Sequence, residues 1–568
     1  MKKKNIARYF SVLQGVKLPW FLILMSFAAS IFSMSSQIQV ATLTASIIDT
    51  SQTAIDGQAL AGYIAMVVVT AALTIFETYF TRKMEETINL RVRTKLWGKI
   101  MHLPTRYYDV DNGDELVTRI TSDAEAPSSL FSMAVSFVTC VVTTIQAFYQ
   151  LYGYNTMLAN YSLLIIPVTL LLCILYGKLT FRLGVYSTRV TASSMAYLAE
   201  RVRNFRLMKS AAAEKLEADQ GSSSFRKMYL ADFLNWLLVA GYQLVSSLFS
   251  ILFIVVVFVI GGQLIPRGEV TIGDLTGFYM ISGIVALQLM QFFMNVGSVS
   301  GIFGTMYKIA EISETQPEPT EGDPVPMVCR DIVFDHVSFS YQEGQAVLRD
   351  LSVRIPMGKV TAIIGGNGAG KSTMLKLIER LYEPSSGAVR FGDEDIRGYQ
   401  LADWRNRLSY VSQKSPLIGG TVRENITYGL ERQITEEELE AVAKQANCYD
   451  FVMKKPGGFD EEVGLDGSNF SGGQGQCISI ARAMLRGGDY LLLDEATSNL
   501  DVVSEAMVTG AMDHLMQDKT TIMVAHNYAA TKNADYIIVL RDGAVEAAGT
   551  PEELLETNEY YRMFRKTL

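Results

Sequence analysis

The run Gly365-Gly366-Asn367-Gly368-Ala369-Gly370-Lys371-Ser372-Thr373 carries the densest chemistry in the chain, between the strand-like Val360–Ile364 and the helix-like Met374–Leu381. In that setting the glycines let successive backbone N–H groups turn toward phosphate oxygens, and the start of a helix adds its positive end. Lys371 is placed to reach the outer phosphates and Ser372 to offer an oxygen to Mg²⁺. Gly366, Asn367, Gly368, Ala369, Gly370, Lys371, Ser372 and Thr373 are therefore the expected cradle, with ATP and Mg²⁺ as its occupants. Such a cradle needs an acidic partner. Tyr490-Leu491-Leu492-Leu493-Asp494-Glu495 supplies it at the end of an apolar run that reads as a buried strand. Asp494 is expected to hold Mg²⁺ and Glu495 to polarise the attacking water.

The elements that position these groups occupy only half of the chain. At 568 residues it exceeds what one hydrophobic core serves, so at least two domains are expected. Hydrophobic residues make up 49% and charged residues 19%, an average that hides a split. Up to about residue 305 long apolar runs alternate with polar intervals; from about 328 the chain reads as short β-branched strands, glycine turns and amphipathic helices. The expected division is 1–313, a linker over 314–327 and a catalytic domain over 328–568. The net charge of −8 sets nucleic-acid binding aside, because such domains need a basic face. Cys140, Cys173, Cys329, Cys448 and Cys477 show no metal-ligand spacing and no disulfide framework.

Six stretches in the first half, about 19–48, 59–80, 128–153, 158–180, 237–264 and 275–303, reach the roughly 20 apolar residues that cross a bilayer. Lipid offers the backbone no hydrogen-bond partner, so each must be helical. The first run is too long for a signal peptide and lacks a small-residue cleavage site after it, so it is expected to be a retained span. The intervals after the second and fourth spans are rich in Arg and Lys, whereas Asp49–Gln58 and Asn155–Leu158 hold neither. Positive charge resists translocation, which predicts that the basic intervals and both termini are cytoplasmic. Helical composition in those intervals predicts membrane helices that extend well into the cytoplasm. Polar side chains within spans are costly and point to a cavity. Gln288, Gln291 and Asn295 share one face of the sixth span; Gln37 and Gln39, Gln146, Tyr149 and Gln150, and Gln243 are further candidates. Glu77 is the one acid deep within a span, either a cation site or a paired helix carboxylate.

Between the cradle and the acidic strand end lies Phe470-Ser471-Gly472-Gly473-Gln474-Gly475-Gln476, which resembles the signature of ATP-binding cassette exporters. The resemblance covers essentially the whole chain. Tyr107-Tyr108-Asp109, Gly113, Leu116, Arg119 and Asp123 resemble the pattern around the family's first coupling helix; Glu200, Val202, Met208-Lys209 and Glu214 resemble that of the second. What the resemblance implies is a membrane six-helix all-α transmembrane domain fused to an α/β P-loop nucleotide-binding domain. It also implies that Ser471, Gly472, Gly473 and Gln474 of one chain complete the cradle of another. By the same resemblance Tyr341 stacks on adenine, Gln413 senses Mg²⁺, Ser498–Asp501 forms the interface loop with Asp501 at the nucleotide, and His526 contacts the γ-phosphate.

The implied activity is ATP-driven export of an amphipathic drug, lipid or peptide by alternating access, from a bacterial plasma membrane. A second copy of the chain is the favoured partner and a related half-transporter the alternative. An exporter-fold importer and an ATP-regulated channel or scaffold are the rival readings; intact Glu495 and His526 weigh against the last. Three positions depart from the family pattern. Gly475 replaces an arginine, Asn499 an alanine, and Val463–Gly467 a more acidic loop. They put partner choice and coupling in doubt more than hydrolysis.

Overall fold

Apolar runs that must satisfy every backbone group internally give the first half its helices. The computed structural model describes residues 11–566 apart from 51–56, 111–112, 164, 343, 414–415, 495–501 and 529–530. The chain divides into two compact units: Met1–His102 with Asn112–Thr315, and Leu103–Asp111 with Gln316–Leu568.

The first unit is helical. Its long helices are Trp20–Thr50, Gly57–Ile100, Ala126–Tyr154, Ile165–Arg203, Glu214–Leu264 and Ile272–Glu314. Among the described residues Trp20–Thr50, Gly57–Ile100 and Glu115–Tyr154 are each apolar and long enough to cross a membrane. Several run far past the hydrocarbon thickness; Gly57–Ile100 has 44 residues and Glu214–Leu264 has 51. At 1.5 Å per residue the latter is roughly 75 Å long, more than twice a bilayer core of about 30 Å.

Small hydroxyl residues lock the first two helices together. Ser26 meets Thr81 at 2.8 Å, Ser30 donates to Glu77 Oε1 at 2.6 Å, and Ser33 meets Thr74 at 3.3 Å, a ladder in antiparallel register. Such bonds matter in lipid, where no water competes for the partners. Asp49, at the far end of the first helix, accepts from Thr271 Oγ1 at 2.6 Å and Gly273 N at 2.8 Å. Thr271 also caps helix Ile272–Glu314 by accepting from Asp274 N at 2.9 Å. Two orphan backbone donors of that helix start, Gly273 N and Asp274 N, are thereby answered.

The second unit has two sheets. One is antiparallel, in the order β2-β1-β4-β5, from β1 (Ile332–Ser340), β2 (Ala346–Ile355), β4 (Ser386–Phe391) and β5 (Glu394–Asp395). The other contains β3 (Val360–Gly365), β6 (Leu408–Val411), β7 (Tyr490–Asp494), β8 (Thr520–Val524), β9 (Tyr536–Arg541) and β10 (Ala544–Gly549). Its order is β10-β9-β3-β8-β7-β6, parallel from β9 to β6 with β10 antiparallel at one edge. Alternating residues of β7 feed two cores: Leu491 and Leu493 face one with Cys477, Ile478 and Ala481, while Tyr490 and Leu492 face another with Phe334, Phe391 and Trp404. Both faces are covered, which is why the strand reads as a continuous apolar run. Each fully buried phenylalanine such as Phe334 or Phe391 contributes on the order of 2–3 kcal/mol.

Candidate functional site

The parallel strands end at a common edge, and the polar residues that follow them define the site. Strand β3 runs into the glycine loop. Gly365 has φ +154°, and a Cβ there would collide with the backbone oxygen of Leu540 on the neighbouring strand, so only glycine fits. Gly370 has φ +99°, and a Cβ would lie 2.5 Å from Leu348 Cδ2. Helix Lys371–Ile378 starts directly after it. Lys371 is 6% exposed, and its ammonium donates to Gly365 O at 2.9 Å and Gly366 O at 3.1 Å. The ammonium thus braces the loop it springs from.

Ser372 Oγ donates to Asp494 Oδ1 at 3.0 Å, joining the helix start to the end of β7. Register carries the remaining groups to the same edge. Val411 pairs with Leu493, so Gln413 lies two residues past the β6 end; Val524 pairs with both Asp494 and Ile363, so His526 lies two residues past the β8 end. Both are exposed. Carboxyl ends of parallel strands are where α/β sheets gather ligands.

Tyr341 follows β1 and reaches the same helix, its hydroxyl 3.2 Å from Thr373 Oγ1 and its ring 5.3 Å from Lys376 Nζ. Edge-on contacts with Phe339 at 4.8 Å and Tyr382 at 5.1 Å fix the ring. It borders a cleft of about 480 Å³ that Arg106, Glu318 and Tyr382 also line. A planar base can lie against such a ring.

At the C-terminal end of helix Lys371–Ile378 sits Glu379, whose Oε2 is buried with no hydrogen-bond partner. Burial pushes its pKa up to about 7; Arg405 opposes this and Asp494 adds to it. Arg405 is the largest opposing charge, ahead of Lys376 and Arg486, and its guanidinium is also forked onto Glu318 at 2.8 Å through two nitrogens.

Ser471 caps helix Gly472–Arg486. Gln474 N donates to Ser471 Oγ at 3.3 Å and Ser471 N to Gln474 Oε1 at 3.0 Å. A Cβ on Gly473 would lie 2.5 Å from Ser504 Cβ, so glycine permits the close approach of the next helix. Ser471 and Gly472 are exposed, and the hydrogen bonds above tie Ser471 and Gln474 to each other, not to Gly366–Thr373. An exposed helix start can receive an anion from outside.

The helical unit holds a cavity of about 530 Å³. Helices Trp20–Thr50, Gly57–Ile100, Ala126–Tyr154 and Ile272–Glu314 line it, through Met34, Gln37, Glu77, Ser136, Gln288 and Gln291 among others.

Comparison with known proteins follows the same division. Residues 20–306 match the family model described as ABC transporter transmembrane region, and residues 348–498 match ABC transporter. The chain belongs to the ABC transporter family. It is 29% identical over 99% of its length to a multidrug resistance ABC transporter ATP-binding and permease protein of Lactococcus lactis subsp. cremoris, covering 96% of that protein. It is 31% identical to a fatty acid ABC transporter ATP-binding/permease protein of Mycobacterium bovis, over 84% of this chain and 76% of the relative. Its fold matches the structure of a bacterial Atm1-family ABC exporter with ATP bound, with TM-score 0.82, 21% identity, and coverage of 96% of this chain and 98% of that one. The protein is thus an integral membrane ABC half-transporter of exporter type that binds ATP and couples its hydrolysis to transport.

Within this ABC transporter, Gly366–Thr373, Tyr341, Gln413, Asp494 and His526 gather at or beside one sheet edge, and Ser471–Gln474 stands at a separate helix start. Glu495, Asp501 and Asn499 lie outside the described residues. Of the amides expected in the membrane half, Gln37, Gln288 and Gln291 line the cavity. Asn295 donates to Ser136 Oγ at 2.9 Å on its border, while Gln146 accepts from Ser35 Oγ at 2.7 Å, and Gln243 is exposed; neither is among the lining residues. The reading of the spans passed over Ser30, Ser132, Ser136 and Thr139, which supply much of the cavity's polar lining. Ser26, Ser30, Ser33 and Gln37 recur at helix spacing, and that stripe was the available signal.

Proposed function

We propose that this ABC transporter works as a pair of identical chains that exports an amphipathic molecule, a drug, lipid or peptide, by alternating access. One observation carries the reading: a single chain holds both the braced phosphate loop facing Asp494 and a membrane-half cavity lined by amides, hydroxyls and a thioether. Such a lining suits molecules that are mostly apolar with a few polar groups. The multidrug and fatty acid relatives are named for cargo of that kind.

In this reading the amides of Gly366–Gly370 take the phosphates and Lys371 exchanges its two carbonyl partners for phosphate oxygens. Tyr341 receives the adenine. Ser372 and Asp494 already converge with a hydroxyl and a carboxylate, the hard oxygens that suit Mg²⁺, and Gln413 adds an amide at the same edge. Bound there, Mg²⁺ would neutralise charge on the outer phosphates. Glu495 draws a proton from the attacking water and His526 donates to the γ-phosphate. Ser471, Gly472, Gly473, Gln474 and Asp501 close the nucleotide held by the other chain.

A homodimer is favoured because every catalytic position is filled in this chain and the Ser471 cap is formed despite Gly475. A Cβ on Gly475 would meet only Leu417 Cδ1, at 3.7 Å, so the helix packs normally there. The Arg- and Lys-rich intervals support cytoplasmic termini, and in this reading the membrane is a bacterial plasma membrane. The test is ATPase activity of the purified chain in lipid nanodiscs with drugs, lipids and peptides. Stimulation by at least one class is expected. Equal rates with and without every member of a broad panel would remove the transport assignment of the cavity.

A further inference from the structure

We propose that Glu77 makes the cavity selective for organic cations, so that the cargo is an amphipathic molecule bearing a positive charge. The inference rests on the reading of this cavity as the cargo site. Glu77 is the middle rung of the ladder between the first two helices. The rungs on either side, Ser26 with Thr81 and Ser33 with Thr74, join the same helices through hydroxyls alone. A serine, threonine or glutamine would serve the middle rung equally, without placing a charge in a membrane span. The contact with Ser30 therefore does not account for a carboxylate.

Position supplies the account. Glu77 lines the cavity together with Ser30, Thr81, Gln37, Gln288 and Gln291, and among the described lining residues it is the one ionisable side chain. Ser30 engages Oε1 alone, and a carboxylate offers several further acceptor positions. The other lining groups are amides, hydroxyls and apolar side chains, which can pack around an organic cation without repelling it. Thr81 and Arg82 follow within about one and a half helical turns, so Glu77 lies toward the end of its span and not deep within it, on the side from which cytoplasmic or inner-leaflet cargo enters. A carboxylate here, in a medium of low dielectric, favours a cation strongly over a neutral molecule of the same shape.

The test uses three probes of matched size: tetraphenylphosphonium, the neutral triphenylphosphine oxide and the anion tetraphenylborate. Equilibrium binding to the full chain in nanodiscs is measured after subtracting binding to empty nanodiscs, for the wild type, Glu77→Gln and Glu77→Asp. Gln keeps the volume and the acceptor for Ser30 and removes only the charge; size-exclusion profiles and thermal midpoints check that both variants fold. The expected result is wild-type preference for tetraphenylphosphonium over triphenylphosphine oxide by about tenfold or more. Glu77→Gln should bring the two within about twofold, and Glu77→Asp should retain part of the preference. A Glu77→Gln protein that folds and still prefers the cation tenfold would overturn the inference while leaving the cavity as the cargo site. So would wild-type binding indifferent to charge. Saturable binding of none of the probes, or of any other amphiphile, would overturn both.

Discussion

Replacing Glu379 with glutamine should stabilise the protein at alkaline pH and do little in acid. The carboxyl is raised from 4.5 to about 7 by burial at the end of helix Lys371–Ile378, against the opposing charge of Arg405 and with Asp494 adding repulsion. For a carboxyl raised in the folded state, its contribution to stability is complete below about pH 4.5 and is lost as pH rises through about 7. At about 1.4 kcal/mol per pH unit, ionised Glu379 costs the fold roughly 3 kcal/mol at pH 8, an upper value because the glutamine amide must itself be accommodated. Glu379→Gln removes that cost. Thermal unfolding of the full chain in nanodiscs, followed by intrinsic fluorescence at pH 5 and pH 8, reads the difference. The variant should melt several degrees higher at pH 8, and the gap should shrink to about a degree or two at pH 5. An equal shift at both pH values, or a less stable variant at pH 8, would refute the linkage of this carboxyl to folding.

Three further outcomes follow from the same geometry. Glu495→Gln should leave ATP binding intact and lower steady-state hydrolysis about 100-fold or more, because it keeps size and removes the base; phosphate release and nucleotide binding measured on one preparation check it. Gly473→Ala should lower ATPase activity at least about tenfold, since its Cβ would press on Ser504 and displace the start of helix Gly472–Arg486, whereas Gly475→Ala, which meets only Leu417 at ordinary contact, should change it less than about twofold. Gln291→Ala should alter which amphiphiles stimulate hydrolysis, because the residue lines the cavity; an unchanged ranking across a broad panel would place that face at a helix contact instead.

Much of the nucleotide site could be read from residue order, because the constraints there are local. A glycine loop after a β-branched run and before Lys-Ser-Thr has few other conformations open to it, and the structure places Lys371, Ser372 and Asp494 together accordingly. The six-helix membrane half was legible for a similar reason, since lipid forbids other backbones, and the helical intervals that prolong the spans were visible in their composition. Helix pairing was not. The ladder of Ser26, Ser30 and Ser33 with Thr81, Glu77 and Thr74 depends on which helices adjoin and in what register, and residues about 50 positions apart reveal neither. Asp49 capping the start of helix Ile272–Glu314 was hidden for the same reason, across more than 200 residues of chain. Glu379 looks like an ordinary surface acid in Lys376–Arg380; only the fold shows that its oxygen is buried and that Arg405 is already engaged. Sequence order likewise separates Tyr341 from Thr373, whose hydroxyls the fold brings within 3.2 Å.

In the proposed function, two copies of this chain alone make a complete pump. That reading is tested most directly by ATP-dependent uptake of a fluorescent amphiphile into inside-out proteoliposomes reconstituted with the singly expressed chain. Concentrative uptake is expected, and it should stop when Ser471→Arg puts a bulky cation where each signature must meet the other chain's γ-phosphate. Uptake that is absent from the single chain and restored by co-reconstitution with a second, different half-transporter would contradict the reading.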